Sequence, residues 1–296
     1  MQTIGMVSMG QEAYYFTLGP EQYYLNGTNP IGHWFGLGAR QEGLFGPVEP
    51  DQLRNLFRGL SPDGTRTLIK DVDLDKRRPA LDLTLSAPKS VSAIYAVCDE
   101  PMREAIRHAH QSAVQKALEI VQDYGGFGRR GKAGVRFERV NLIFACFDHD
   151  TSRAQDPQIH THAVLLNIAQ RADGTYGALA TRDILRLKMC SGAAYRAELA
   201  YQLEQRCNLQ IERVRDWFEV AGVPKELLRE FSNRRQMIEK AVAGIEHASA
   251  HALALATLET RPEKDYVSQP ELFKRWRELA IPFNFTPENV SSLCQR

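Results

Sequence analysis

The chain has few cysteines, and they form no recognisable metal or disulfide pattern. Its five cysteines are scattered over 296 residues, and none belongs to a Cys-x-x-Cys pair. An odd number at wide spacing argues against a disulfide framework and against a structural zinc knuckle. This usage is typical of a reducing compartment, so we expect a cytoplasmic protein.

Long apolar runs and a strong charge of one sign are also absent. No apolar stretch approaches membrane-spanning length, and the N-terminus lacks a basic region followed by an apolar core. We therefore predict no membrane segment. The formal net charge of +1 neither favours nor excludes a nucleic-acid partner, because binding depends on how charge is distributed.

A complete nucleotide-binding P-loop is missing as well. The stretch from Gly126 to Ala133 nearly matches one, but Ala133 stands where a magnesium-binding Ser or Thr is required. The predicted context is also inverted, with a helix before the loop and a strand after it. We interpret the stretch as a basic, flexible loop whose charges either contact phosphates or are solvated.

The hydrophobic pattern predicts an α+β fold rather than alternating βαβ units. Alternation over residues 81–86 predicts a strand with Asp82, Thr84 and Ser86 on its polar face. Ser86 is also predicted to cap the helix that follows Pro88. Further strands are predicted at 135–147 and 160–169, and helices at 89–97 and 101–124. After residue 181 the pattern is helical almost throughout, with a softer boundary near residues 212–224.

Three histidines lie close together in a polar stretch. His149, His160 and His162 account for three of the eight histidines in the chain. The last two are two residues apart, so both rings leave the same face of a strand, and a return through residues 151–158 would bring His149 beside them. Such histidines can be satisfied by backbone groups alone, but their density favours a divalent metal. By ligand preference, three neutral imidazoles suit zinc, nickel or copper.

Two tyrosine pairs lie near the N-terminus, namely Tyr14-Tyr15 and Tyr23-Tyr24. Aromatic residues at this density usually reflect core packing. Next to a metal site, however, a tyrosine hydroxyl can attack phosphorus and form a covalent intermediate. A phenol with a pKa of about 10 needs a nearby base or cation to ionise, and Asp82 is the available carboxylate.

Together these motifs closely resemble those of the MobF-type conjugative relaxases, members of the HUH class of enzymes that nick and join single strands. The resemblance rests on the tyrosine pairs, on Asp82-Leu-Thr-Leu-Ser-Ala-Pro-Lys-Ser-Val-Ser92 and on the histidine stretch 149–162, and it extends to residues 34–39, 231–232 and 258–261. It implies an antiparallel β-sheet palm flanked by helices, the HUH relaxase fold, with a helical C-terminal extension. We expect the palm in residues 1–230 and an extension closing over DNA in residues 231–296.

The resemblance implies an enzyme of the bacterial cytoplasm that nicks and rejoins one DNA strand at a plasmid transfer origin and so initiates conjugative transfer. Tyr14 would attack the scissile phosphate, forming a 5′-phosphotyrosine and leaving a free 3′ hydroxyl. Tyr23 would serve a second strand transfer, with Tyr15 and Tyr24 as additional candidate nucleophiles. Asp82 would orient a histidine, assist deprotonation of the tyrosine, or do both.

Cofactor and partners are implied in the same way. His149, His160 and His162 would hold one divalent ion, which is Mg²⁺ or Mn²⁺ in this family, although ligand preference leaves Zn²⁺ or Ni²⁺ open. The expected partners are single-stranded DNA at a transfer origin with an adjacent hairpin, other relaxosome and conjugation proteins, and a C-terminal helicase domain in a longer protein. The candidate phosphate contacts, each equally compatible with an ordinary surface charge, are Lys89, Arg153, Arg234 and Arg235.

Two other functions stay open. A non-catalytic origin-binding protein of the same fold would bind a DNA hairpin without cutting it. A metal-dependent hydrolase would use an activated water molecule, and its tyrosines would be purely structural.

Overall fold

The computed structural model describes residues 2–17, 32–70, 73, 76–131, 134–242 and 267–294. Among the helices of these ranges, none has the length and apolar character that a membrane span requires.

The strands are β1 (Gln2–Val7), β2 (His33–Phe35), β3 (Ala80–Ser86), β4 (Phe127–Arg130), β5 (Arg136–Arg139), β6 (Phe144–Thr151), β7 (Pro157–Leu166), β8 (Ala169–Gln170), β9 (Tyr176–Gly177), β10 (Ile211–Val214) and β11 (Trp217–Val220). The helices are α1 (Glu12–Thr17), α2 (Leu37–Gln41), α3 (Pro50–Phe57), α4 (Lys89–Val97), α5 (Glu100–Gly125), α6 (Thr181–Arg186), α7 (Lys188–Cys207), α8 (Lys225–Glu230), α9 (Asn233–Val242), α10 (Gln269–Ala280) and α11 (Pro287–Leu293).

The central element is a five-stranded sheet in the order β1-β3-β7-β6-β2. Strand β3 pairs antiparallel with both β1 and β7, and β2 pairs antiparallel with β6. The predicted α+β class with an antiparallel sheet is therefore confirmed.

The two faces of this sheet differ in character. On β3 the leucines at 81, 83 and 85 are at most 3% exposed, whereas Asp82 and Thr84 are only partly buried. Pairing with β7 places Thr84 opposite His162 and Ser86 opposite His160, on the same polar face. Beside this face lies a hydrophobic cluster that includes Tyr15 of α1 and Phe147 of β6.

Two predictions for residues 126–147 were wrong. The strand predicted at 135–147 is two strands, since β5 pairs with β4 in a separate hairpin and the main sheet resumes at β6. The stretch predicted as a flexible basic loop therefore contains β4. Within the mainly helical part after residue 181, residues 211–220 form the β10–β11 hairpin, near the softer boundary expected at residues 212–224.

The chain forms two compact units whose segments alternate along the sequence. Unit 1 comprises Met1–Ser86, Gln111–His149 and His160–Leu199, and unit 2 comprises Ala87–His110, Asp150–Ile159 and Ala200–Arg296. This division does not follow the boundary at residue 230. The assignment of residues 231–296 as an extension that closes over DNA stays a prediction.

Helix α4 is the buried centre of unit 2. Residues 90–97 are all buried, so its terminal backbone groups need partners inside the protein. The N–H of Ser90 donates to the Glu219 carboxylate at 3.1 Å, and the guanidinium of Arg277 donates to the Cys98 carbonyl at 2.8 Å. Residues 89–97 form the helix as predicted, but the N-cap residue is Pro88, so the predicted capping by Ser86 is wrong.

Lys89 connects separate stretches of unit 2. Its ammonium donates to the carbonyls of Pro157 at 3.0 Å and Phe231 at 2.8 Å. Burial lowers the pKa of Lys89 to about 8, although the carboxylates of Asp156 and Glu219 act in the opposite direction. Lys89 is therefore part of the internal structure of unit 2.

Gly36 lets the chain pass close to the residues that precede β6. Its φ is 105° and its ψ is 160°, a region that only glycine adopts without strain. A Cβ atom at this position would lie 2.4 Å from the Leu142 carbonyl oxygen. Both the backbone conformation and the available space therefore require glycine.

We expect Gly36→Ala to lower the free energy of unfolding by about 3 kcal/mol or more, since backbone strain and a steric clash add. Gly43→Ala is the matched control, because Gly43 has a φ of +70° but open space around its Cβ position; its cost should be about 1–2 kcal/mol. Denaturant unfolding measures both. Equal losses in the free energy of unfolding for the two variants would contradict the predicted clash at position 36.

Lys89→Met removes the buried amine, so a comparison of the pH dependence of stability with and without this substitution tests the lowered pKa of Lys89. Below pH 8 both the folded and the unfolded state bind the proton, and the folded state carries the full desolvation cost. Between the folded pKa of about 8 and the unfolded value of 10.5, only the unfolded state stays protonated, so stability rises with pH. The stability of the parent relative to Lys89→Met should therefore rise by on the order of 2 kcal/mol from pH 8 to pH 10.

Lys225→Met, at an exposed lysine of the same unit, is the control and should show no comparable rise. Denaturant unfolding across this pH range gives the comparison. If the free energies of unfolding of the unsubstituted protein and of Lys89→Met changed in parallel with pH, the lowered pKa of Lys89 would be contradicted.

Candidate active site

The structure brings the three predicted histidines together. His149 lies on β6, and His160 and His162 lie on β7. The centroids of their rings are 5.1 to 5.3 Å apart, and one possible ligand atom from each ring lies within 4.8 Å of the others. All three side chains are partly buried.

This cluster fits a single divalent ion. A metal–nitrogen bond is about 2.1 Å long, so two nitrogens on one ion lie at most about 4.2 Å apart. Separations of up to 4.8 Å therefore need only a small adjustment of the side chains. Three imidazoles without a carboxylate or thiolate form a neutral donor set, which leaves the positive charge of the ion available to an anionic substrate.

The orientation of His162 is set by a carboxylate. Its Nδ1 lies 2.8 Å from Asp82 Oδ2, and the two side chains are 13% and 16% exposed. If Nδ1 carries the proton and donates to Asp82, Nε2 keeps the lone pair that a metal requires. Thr84 completes the arrangement, because its hydroxyl lies 3.2 Å from Asp82 Oδ1 and 3.2 Å from His162 Nδ1.

The backbone that carries the histidines is supported from the opposite side of the sheet. Thr161, between His160 and His162, is fully buried and donates a hydrogen bond to Asp148, the neighbour of His149. Asp148 also accepts from Gln111 at 3.4 Å. Strands β6 and β7 are thus tied together directly behind the histidines.

The first tyrosine pair lies on α1, next to this cluster. Tyr14 is partly exposed, and its ring centroid lies 6.3 Å from that of His162. Tyr15 is 4% exposed, stacks on Phe147 at 5.3 Å and donates its hydroxyl to Asp82 Oδ2 at 3.1 Å. Burial and the adjacent Asp82 carboxylate raise the pKa of Tyr15 far above its usual value.

The second pair, Tyr23 and Tyr24, lies outside the described residues. Its predicted role in a second strand transfer stays a prediction.

The predicted phosphate contacts all belong to unit 2. The ammonium of Lys89 is held by two carbonyls, which disfavours a phosphate contact. Arg153 lies in the turn between β6 and β7, and Arg234 donates its backbone N–H to Asp156 at 3.1 Å. Arg235 pairs with Glu239, and their side chains are 68% and 55% exposed.

Sequence reasoning missed two residues of the site. The alternation places Thr84 on the polar face of β3 but indicates no role for it, although its spacing of two from Asp82 is a usable signal. The sequence predicts Phe147 in a buried strand but does not predict its partner. Its stacking on Tyr15 depends on how α1 packs against the sheet, which no local pattern indicates.

Comparison with known proteins identifies the family. The family model described as TrwC relaxase matches residues 9–282. The multifunctional conjugation protein TraI of Escherichia coli is 33% identical over 285 residues, which is 92% of this chain. Its counterpart from Escherichia coli K12 is 33% identical over 293 residues, or 94% of this chain. This chain spans only 15% and 16% of the lengths of these two relatives.

Solved structures agree with this result. The copper-bound structure of conjugative relaxase TrwC in complex with oriT DNA has a TM-score of 0.86 and 32% identity, covering 96% of this chain and 99% of the TrwC chain. TrwC complexed with a 27-mer DNA that comprises the recognition hairpin and the cleavage site has a TM-score of 0.82 and 29% identity, with coverage of 96% and 99%. The fold, the histidine cluster and the matched residues lead to one conclusion: this chain belongs to the TrwC relaxase family.

Proposed function

We propose that this chain nicks and rejoins one strand of DNA at a plasmid transfer origin, with Tyr14 as the nucleophile. The observation that carries the proposal is a partly exposed phenol 6.3 Å, between ring centroids, from a histidine of a three-imidazole cluster. Membership of the TrwC relaxase family and the solved complexes of TrwC with oriT DNA support the substrate.

The contacts of the two neighbouring tyrosines favour Tyr14 over Tyr15. Tyr15 is buried and donates a hydrogen bond to Asp82, and its raised pKa keeps the hydroxyl protonated. Its ring is held against Phe147, so an attack by Tyr15 would require this packing to open. Tyr14 is the more accessible of the two.

The proposed reaction is a transesterification. The Tyr14 oxygen forms a bond to phosphorus while the bond from phosphorus to the 3′ oxygen breaks. The phenol loses its proton and the departing 3′ oxygen gains one, so a 5′-phosphotyrosine and a free 3′ hydroxyl result. Because one phosphoester replaces another, rejoining by the reverse attack needs no nucleotide cofactor.

Asp82 would act mainly as an orienting group. Its carboxylate lies beside His162 and accepts a hydrogen bond from the Tyr15 hydroxyl. These contacts support the expected role of orienting a histidine. Holding the imidazole in the Nδ1–H form leaves Nε2 directed away from Asp82.

His149, His160 and His162 would hold one divalent ion. When bound, such an ion polarises a non-bridging phosphate oxygen and neutralises charge that develops on phosphorus. We propose Mg²⁺ or Mn²⁺ because phosphate and water oxygens would complete its shell, with Zn²⁺ or Ni²⁺ as the alternative that an all-imidazole donor set favours.

The proposed DNA partner is a single strand next to a hairpin. TrwC has been solved with an oligonucleotide that comprises a recognition hairpin and the cleavage site, and the likeness of this chain to TrwC supports the same arrangement. A helicase domain in a longer protein and other relaxosome and conjugation proteins stay predictions.

We expect Tyr14→Phe to abolish the covalent protein–DNA adduct, with a loss of at least about 1,000-fold. Tyr15→Phe is the matched control. It keeps the ring that stacks on Phe147 and removes only one hydrogen bond, so it should cost at most about tenfold. The assay incubates each protein with Mn²⁺ and single-stranded oligonucleotides from the DNA adjoining its gene, and scores adducts that resist denaturation.

The same assay separates the alternatives. An adduct that survives in Tyr14→Phe and disappears in Tyr15→Phe would assign the reaction to Tyr15. Cleavage without any adduct would favour the hydrolase, and binding without cleavage would favour the non-catalytic origin-binding protein.

Chelation should stop adduct formation, and Mn²⁺ or Mg²⁺ should restore it. His149→Ala should weaken Mn²⁺ binding at least about 100-fold, as measured by calorimetry on the protein alone. Tyr14→Phe should bind Mn²⁺ like the parent because it retains all three imidazoles. Restoration by Zn²⁺ or Ni²⁺ but not by Mg²⁺ or Mn²⁺ would overturn the proposed metal, and unchanged binding by His149→Ala would overturn the proposed ligand set.

A further inference from the structure

Thr84 lies at the centre of the polar contacts behind the histidine cluster. Its hydroxyl is 3.2 Å from Asp82 Oδ1 and 3.2 Å from His162 Nδ1. It is directly opposite His162 in the pairing of β3 with β7. Its side chain is therefore held between the carboxylate and the imidazole.

The two oxygens of Asp82 have different partners. Thr84 donates to Oδ1, whereas Oδ2 accepts from Tyr15 at 3.1 Å and lies 2.8 Å from His162 Nδ1. A carboxylate bound through only one oxygen can rotate about its terminal torsion, which is broad. A donor on each oxygen fixes the carboxylate plane, and with it the direction in which Oδ2 meets the imidazole.

The hydroxyl also limits where the imidazole proton can be. Because the Thr84 hydroxyl donates its hydrogen bond to Asp82, its oxygen can accept a hydrogen bond from His162 Nδ1–H, as Asp82 Oδ2 does. Both contacts therefore favour the tautomer with the proton on Nδ1. In that tautomer Nε2 is unprotonated and can serve as a metal ligand without first losing a proton.

We propose that Thr84 is a positioning residue for the metal site, which acts by fixing the Asp82 carboxylate and the Nδ1–H tautomer of His162. This role rests on the proposed function, because it assumes that His162 is a metal ligand. Thr84 itself touches neither the metal nor the DNA in this scheme.

The test compares three substitutions. Thr84→Val keeps the shape of the side chain and its strand preference but removes the hydroxyl, and Thr84→Ser keeps the hydroxyl. Thr3→Val is the matched control, because Thr3 is the exposed residue that pairs with Thr84 on β1. Thr84→Ala also lacks the hydroxyl and replaces Thr84→Val if the valine variant does not fold.

Two measurements on the protein without DNA decide the matter. Calorimetric titration with Mn²⁺ should show about tenfold weaker binding for Thr84→Val, with Thr84→Ser and Thr3→Val within about twofold of the parent. Long-range ¹H–¹⁵N NMR of the metal-free protein should show the Nδ1–H tautomer at His162 in the parent. Thr84→Val should show a larger share of the Nε2–H form.

The possible failures are distinguishable. A parent that binds no Mn²⁺ and forms no adduct would overturn the proposed function, while the tautomer measurement would still test Thr84. A parent that binds Mn²⁺ and forms the adduct, with Thr84→Val equal to Thr3→Val in both affinity and tautomer, would overturn the role of Thr84 alone.

Discussion

The antiparallel pairing of β3 with β7 is the constraint on which the whole site depends. It places Thr84 opposite His162 and Ser86 opposite His160, and it brings Asp82 within reach of the imidazole. A slip of one residue would move Asp82 and Thr84 to the other face. The buried leucines at 81, 83 and 85 oppose that slip, because it would expose all three side chains. The hydrophobic face of the sheet thus maintains the geometry of its polar face.

Adjacent tyrosines on α1 have different environments for a related reason. Successive residues of a helix point about 100° apart, so Tyr15 can be buried against Phe147 while Tyr14 remains partly exposed. The buried phenol is bound to Asp82 and stays protonated. One tyrosine therefore packs against the sheet, and the other is the proposed nucleophile.

The motif around Lys89 carries part of the relaxase resemblance, but its lysine is bound inside the protein. The resemblance predicts that Lys89 contacts a phosphate. In the structure its ammonium binds two carbonyls, and the N–H of Ser90 binds a glutamate 129 residues away. These contacts satisfy polar groups at the start of a helix whose residues 90–97 are all buried.

The sequence by itself determined whatever depends on local spacing. Alternation predicted β3 to within one residue, the pattern at 89–97 predicted α4, and the spacing of His160 and His162 placed both rings on one face. Only the tertiary structure decided which tyrosine is buried and that Thr84 lies between Asp82 and His162. It also decided that β5 and β6 are separate strands and that the Glu219 carboxylate binds the first turn of α4. These outcomes result from packing between segments far apart in the chain, whereas periodicity reports only whether a residue faces the core and not which side chain it meets there.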